Sequence, residues 1–280
     1  KNNAYGHGLI DVAKLAHEYG IIHAVVNSIK EAELILEYFE SVLVLQGLSE
    51  QKIEEKIIIT INSIESIKKI PFGTKVELKI DTGMHRNGIL PVDLSLALDL
   101  IYEKQLLLNG VFTHFSSAFI DDPSLSIQKN IFDKMKSKIL RDDRFNSKCI
   151  RFHCSASSSL FRIDNSCYDL VRVGIMSYGY LSIPQSYEKP MLKPVLSLWG
   201  EKITSKFISK GDSVGYGQAF VSKGDLLVST YDIGYGDGFM RLDDKKMSTI
   251  KNGKKILGVV SMNSFSTIGD DNVVCVFDNA

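Results

Sequence analysis

Six short apolar runs, with helically spaced segments between them, occupy roughly the first 180 residues and restrict the fold more than any other feature. The runs span 21–26, 42–45, 56–60, 75–80, 109–114 and 149–153, and the intervening patterns include 11–19, 29–39, 94–106 and 126–140. In these segments apolar residues recur every three or four positions, the period of an amphipathic helix. Strands alternating with helices imply parallel βαβ units. So many units in series favour a (β/α)8 TIM-type barrel over a flat doubly wound sheet. Past about residue 190 the texture changes. Segments 196–208, 211–217, 225–236 and 254–262 are rich in β-branched residues and separated by the glycine turns SKGD (twice) and KNGK. They read as a mostly antiparallel β-domain. The expected division is therefore 1–190 for the barrel and 191–280 for the β-domain.

Bulk properties narrow the function classes. Lys plus Arg and Asp plus Glu both total 33, so no overall field attracts nucleic acid or an anionic membrane surface. No stretch reaches the ~18 consecutive apolar residues of a membrane helix, and the start has no signal-peptide pattern. Cys149, Cys154, Cys167 and Cys275 fit neither a CxxC pair nor zinc-ligand spacing, so no metal is expected. A chain of 280 residues needs no disulfide staple, and reduced thiols point to the cytoplasm.

Six segments carry residues suited to chemistry. KNNAYGHG opens the chain and sets Lys1 and Tyr5 just before a helix, where a neutral lysine amine can condense with a carbonyl cofactor. KIDTGMHRNG follows a strand and places Arg86 on a strand-to-helix loop, the active face of a barrel, where an arginine can grip a carboxylate with two hydrogen bonds. THFS ends a strand with His114. HCSASSS invites a nucleophile reading, but His153 and Cys154 are adjacent strand residues and point to opposite faces. Its serines, Ser157 among them, fit caps or phosphate contacts better. VRVGIMSYG follows Arg172 with Gly174 and Ile175, whose backbone amides can approach a phosphate closely. DIGYGDGF presents Tyr235 on a glycine-rich loop that is not a dinucleotide fingerprint. Taken singly, each has an ordinary explanation as a surface charge, core histidine, helix cap or hairpin turn.

In combination and order, the six segments resemble bacterial alanine racemase, a pyridoxal 5'-phosphate enzyme with a barrel and a C-terminal β-domain. The resemblance runs from Lys1 to at least Asn263, and KxNAYGHG together with GYxDG is its most specific part. It implies Lys1 as the Schiff-base lysine, Tyr5, Ser157, Gly174 and Ile175 as phosphate contacts, and His114 and Arg172 behind the cofactor ring. Arg86 and Met262 would meet the substrate carboxylate, and Lys79 matches a lysine often carbamylated in relatives. Tyr235 would be the second base, reaching the site from the partner of a homodimer with shared active sites. A network from Tyr235 through His114 to Arg172 would lend that tyrosine positive charge. Arg172 at the ring nitrogen would also weaken the electron sink, disfavouring decarboxylation.

The implied reaction interconverts L- and D-alanine by a two-base route and supplies D-alanine for peptidoglycan. A broad-specificity racemase for serine or lysine on the same fold is the alternative, with a non-catalytic pyridoxal-phosphate protein further off. Departures from the family pattern are Ala156, Val173 and the Ser261-Met262-Asn263 run. The resemblance also leads one to expect a first barrel strand before Lys1 and more β-domain after Ala280.

Overall fold

A computed structural model describes residues 1–49, 51, 53–241 and 249–278. The chain forms two compact units, Lys1–Met191 and Leu192–Ala280. In the first, strands β1 (His23–Val26), β2 (Ser41–Val44), β3 (Ile57–Ile61), β4 (Lys75–Lys79), β5 (Leu107–Phe112) and β6 (Arg151–His153) lie side by side in chain order. Every neighbouring pair is parallel, making a curled six-stranded barrel sheet. All six match the apolar runs of the sequence. Helices Leu9–Glu18, Leu94–Glu103 and Ser124–Ile139 fall where the three- and four-residue spacing places them. The expected 29–39 helix is shorter. It ends at Glu33 and resumes as a single 3-10 turn, Leu36–Tyr38.

Alternation along the strands separates two faces. Val42, Val44, Ile57, Ile59, Ile61, Val76, Leu78 and Val111 join the main core with residues such as Ala97, Ile101 and Phe132 from the helices. At about 25 cal/mol per Å² of apolar area removed from water, this layer is the main stabilising contribution. The opposite face holds a small cluster of Leu43, Ile58 and Phe112. Val25 and Leu45 pack against it, and the same face also carries buried Glu77, Lys79 and His153. A strand row that switches from aliphatic to ionisable side chains marks where the fold gives up core packing to build a site.

The second unit is a five-stranded sheet in the order β11-β12-β10-β7-β13, with β7 (Leu198–Ile208), β10 (Leu226–Tyr231), β11 (Ile256–Leu257), β12 (Phe265–Ile268) and β13 (Val273–Phe277). Its pairings are antiparallel, and a separate hairpin joins β8 (Ser213–Val214) to β9 (Phe220–Val221). Tyr231, Ile233, Phe265 and Val274 belong to its own core. β9, β12 and β13 are additions to the strands expected from sequence.

Candidate active site

The strand-to-helix ends of the parallel sheet gather most of the candidate residues. Immediately after Lys1, Asn2, Asn3, Ala4 and Tyr5 all have positive φ between 51° and 60°, a full turn of left-handed backbone. Such a turn costs roughly 1–2 kcal/mol per L-residue and persists only where its surroundings enforce it. Glu31 supplies part of that hold, accepting from the amide of Asn3 at 3.1 Å and from that of Asn27 at 2.8 Å. The Asn3 side chain accepts from the Leu9 amide at 2.8 Å, locking the turn to the following helix. The result places the Lys1 ammonium 5.8 Å from the Tyr5 ring centre.

Tyr5 in turn lies against the loop after Arg172. A Cβ added to Gly174 would sit 2.4 Å from the Tyr5 hydroxyl, so only glycine admits this contact. Ser157, buried, accepts from the amides of Gly174 at 3.3 Å and Met176 at 3.4 Å. Tyr178 packs beside Tyr5 at 5.3 Å and stacks on His7 at 4.4 Å. A phenol, a hydroxyl and successive backbone N–H groups thus converge on one corner, a donor set suited to a phosphate.

The other half of the mouth is cationic. Lys79, buried at the end of β4, donates to the Asn87 side chain. Burial pushes its amine down to about 8, helped by the charges of Arg86, Arg172 and Lys1. His114 is pushed down to about 3 by burial first, then by Arg172, Arg86, Lys79 and Lys1. That imidazole is therefore neutral near neutrality, and positive charge here resides on the arginines. The carboxylate of Asp81 is already engaged, accepting from the amides of Gly83, Met84 and His85 at 2.9–3.1 Å. A mouth lined by Lys1, Lys79, Arg86 and Arg172 favours anions.

Arg172 differs from the sequence expectation in its partner. Its guanidinium donates to His153 Nδ1 at 2.5 Å and to the carbonyl of Thr113 at 2.5 Å, with His114 acting on it through space. Its Cζ lies 4.9 Å from the Phe112 ring centre. The opposite pointing of His153 and Cys154 holds, since His153 stacks on Phe112 while Cys154 joins the helix-side core. Glu77 is the residue that sequence reasoning passes over, and His153 entered it only as a poor partner for Cys154. The signal was there in a glutamate embedded in the apolar run VELKI.

In the second unit, Tyr235 and Met262 come together. A Cβ on Gly234 would fall 2.2 Å from the Met262 carbonyl, so the glycine loop lies directly on that segment. The Tyr235 amide donates to Ser261 at 3.1 Å and the Gly236 amide to Met262 at 2.8 Å. The Asp237 carboxylate closes the turn by accepting from the Gly234 amide at 2.9 Å, and Arg241 lies 5.5 Å over the Tyr235 ring. Tyr235 is half-buried and the Met262 side chain is 56% exposed, so this edge presents a phenol and a thioether outward. Among the described residues no helix is long and apolar enough to cross a membrane, and no cluster of His, Cys, Asp or Glu could hold a metal ion.

A parallel barrel sheet with a cationic mouth, followed by an antiparallel unit that displays a tyrosine, defines a protein of the barrel-plus-β-domain class. The alanine racemase N-terminal domain matches residues 1–182 and the alanine racemase C-terminal domain matches 195–276. Alanine racemases of Campylobacter concisus and Nitratiruptor sp. are 40% and 39% identical to it, over 100% of this chain and 82% of theirs. Alanine racemase of Clostridium difficile 630 superposes with a TM-score of 0.87 at 25% identity, covering 99% of this chain and 78% of that one. The Bacillus anthracis enzyme, solved with bound L-Ala-P, gives 0.83 at 26% identity, covering 98% and 75%. The chain belongs to the alanine racemase family.

Proposed function

We propose that this chain interconverts L- and D-alanine using pyridoxal 5'-phosphate, with Lys1 and the partner subunit's Tyr235 as bases on opposite faces of the substrate. The observation that carries the reading is the joined site of the first unit, where a phosphate-type corner meets an anion-selective mouth with a lysine between them. The residues fit the cofactor: Gly174, lacking a side chain, lets the Tyr5 phenol close onto the corner where Ser157 meets the Gly174 amide, and Tyr5, Ser157, Gly174 and Ile175 would hold its phosphate. When bound, the cofactor supplies an electron sink for the pair left on the substrate Cα, chemistry that no side chain provides.

The protein's own groups then divide the remaining work. Lys1 would hold the cofactor's carbonyl carbon and, once displaced by substrate, move a proton at Cα from one side. The phenol of Tyr235 would do so from the other, delivered together with Met262 by the two hydrogen-bonded segments that carry them. Arg86 would orient the substrate carboxylate and Lys79 would support Arg86. Arg172, a permanent donor, would face the ring nitrogen and keep it unprotonated, so the sink suffices for proton exchange but favours decarboxylation less. D-Alanine made this way would serve peptidoglycan synthesis in the cytoplasm.

Subunit mixing tests both bases and the shared site. Lys1→Ala and Tyr235→Phe should each lose about 10²- to 10⁴-fold in racemisation, the usual contribution of a positioned base. Co-refolded in equal amounts, they should recover roughly a quarter of wild-type activity, because a mixed dimer has one intact site. No recovery would place both bases on one chain. Faster turnover of serine or lysine than of alanine by the wild type would favour the broad-specificity alternative.

A further inference from the structure

Behind Arg172 lies a chain of buried polar contacts that leads away from the mouth. Glu77 is 1% exposed, on the concave face of β4. One carboxylate oxygen pairs with Arg151 at 2.9 Å and the other with His153 Nε2 at 2.7 Å. His153 Nδ1 meets the Arg172 guanidinium at 2.5 Å. The slot is cut for the carboxylate, since a Cβ on Gly110 of β5 would lie 2.9 Å from Glu77 Cδ and 2.9 Å from its Oε1. Phe112 packs along the relay, with its ring 5.0 Å from that of His153 and 4.9 Å from Arg172 Cζ.

These contacts settle the tautomer. A guanidinium has donors and no acceptor, so Nδ1 of His153 must accept and the ring proton must sit on Nε2, where it donates to Glu77. Burial, followed by the charge of Arg172, pushes the imidazole toward its neutral form. The other acceptors of Arg172 are the carbonyls of Thr113, His153 and Cys154, all uncharged. The anion at the end of its hydrogen-bond chain is Glu77. A paired buried carboxylate orients what it pairs with, and its loss leaves the next group free to turn or retautomerise.

We propose that Glu77 is a positioning residue for Arg172: acting through the Nε2-protonated ring of His153, it fixes the guanidinium's rotation at the place where the cofactor ring nitrogen would sit. The second half of that statement rests on the proposed pyridoxal-phosphate reading, while the tautomer does not. The test uses the full chain with ¹⁵N-labelled histidine, first without cofactor. Long-range ¹H–¹⁵N correlations should give wild-type His153 as the neutral Nε2–H form between about pH 6 and 8. Glu77→Gln should shift His153 away from that form, whereas Glu77→Asp should retain it. With pyridoxal phosphate added, Glu77→Gln should shift the pH titration of the bound chromophore. It should also lower kcat on the order of 10²-fold, the scale of a misplaced catalytic geometry, with KM nearly unchanged and most of the loss regained in Glu77→Asp. If Glu77→Gln does not fold, the tautomer of wild type and of Glu77→Asp still decides. A wild-type His153 protonated on Nδ1, or a folded Glu77→Gln with unaltered chromophore and kcat, overturns the proposal. Failure of the wild type to take up pyridoxal phosphate would instead overturn the functional reading and leave the tautomer result standing.

Discussion

Gly174 illustrates how much a single missing side chain can decide. The Tyr5 hydroxyl occupies the space its Cβ would take, so tyrosine, glycine and the Ser157 hydroxyl share one corner. Gly174→Ala should displace the phenol and remove one donor from the phosphate subsite. Losing a hydrogen bond to a charged group costs about 1.5–3 kcal/mol, or about 10- to 100-fold in affinity. Titrating the apoprotein with pyridoxal phosphate should show that weakening while the far-ultraviolet circular dichroism stays that of wild type. An affinity equal to wild type would remove Tyr5 and Gly174 from the phosphate subsite. The residues that make this corner were legible in sequence because KNNAYGHG and VRVGIMSYG are local motifs. The left-handed turn from Asn2 to Tyr5 was not, since four such residues in succession oppose every local preference and depend on Glu31 from a later helix.

Strands carry a different kind of information. Each of β1 to β6 coincides with an apolar run, because the row of each strand that packs on the helices is nonpolar and Leu43, Ile58 and Phe112 add apolar residues on the other face. Glu77 interrupts that rule within VELKI, and Gly110 on β5 is its counterpart. Gly110→Ala would bring a methyl within 2.9 Å of both the Arg151 carbonyl and the Glu77 carboxylate. Overpacking of this sort destabilises by about 1–3 kcal/mol. Urea unfolding should show a lower midpoint with an unchanged slope, and an unaltered midpoint would mean that β5 and β6 separate more easily than their pairing implies. In the second unit, Phe220–Val221, Phe265–Ile268 and Val273–Phe277 escaped the pattern because strands of a small antiparallel sheet are short and their turns vary. The broken helix at 29–39 shows the converse, a helical period that the chain abandons after Glu33.

For the molecule as a whole, the cationic mouth has a cost that pH should expose. His114 titrates near 6.5 when unfolded and is pushed down to about 3 in the fold. The unfolded chain therefore binds the extra proton first. Stability from this group is fully present above about pH 6.5 and is lost progressively as pH falls toward about 3. His153, also pushed down, acts with the same sign. Urea midpoints measured from neutral to mildly acidic pH should fall, and His114→Gln should flatten the part of that slope due to His114. Identical slopes in the two proteins would show that this imidazole is not held neutral by its neighbours.

Local chemistry in the chain determined the six parallel strands, the antiparallel texture after them and the motifs that the alanine racemase family shares. Each depends on side-chain periodicity or on residues adjacent in sequence, which a linear reading can see. Only the tertiary structure decided which histidine serves Arg172. Glu77, His153 and Arg172 come from three different parts of the chain: parallel strands β4, β5 and β6 bring Glu77 and His153 onto one face, and the later segment that runs beside Ala156 returns Arg172 to His153. Which buried donor meets which acceptor is settled by distance in space, and spacing along the backbone carries no record of it.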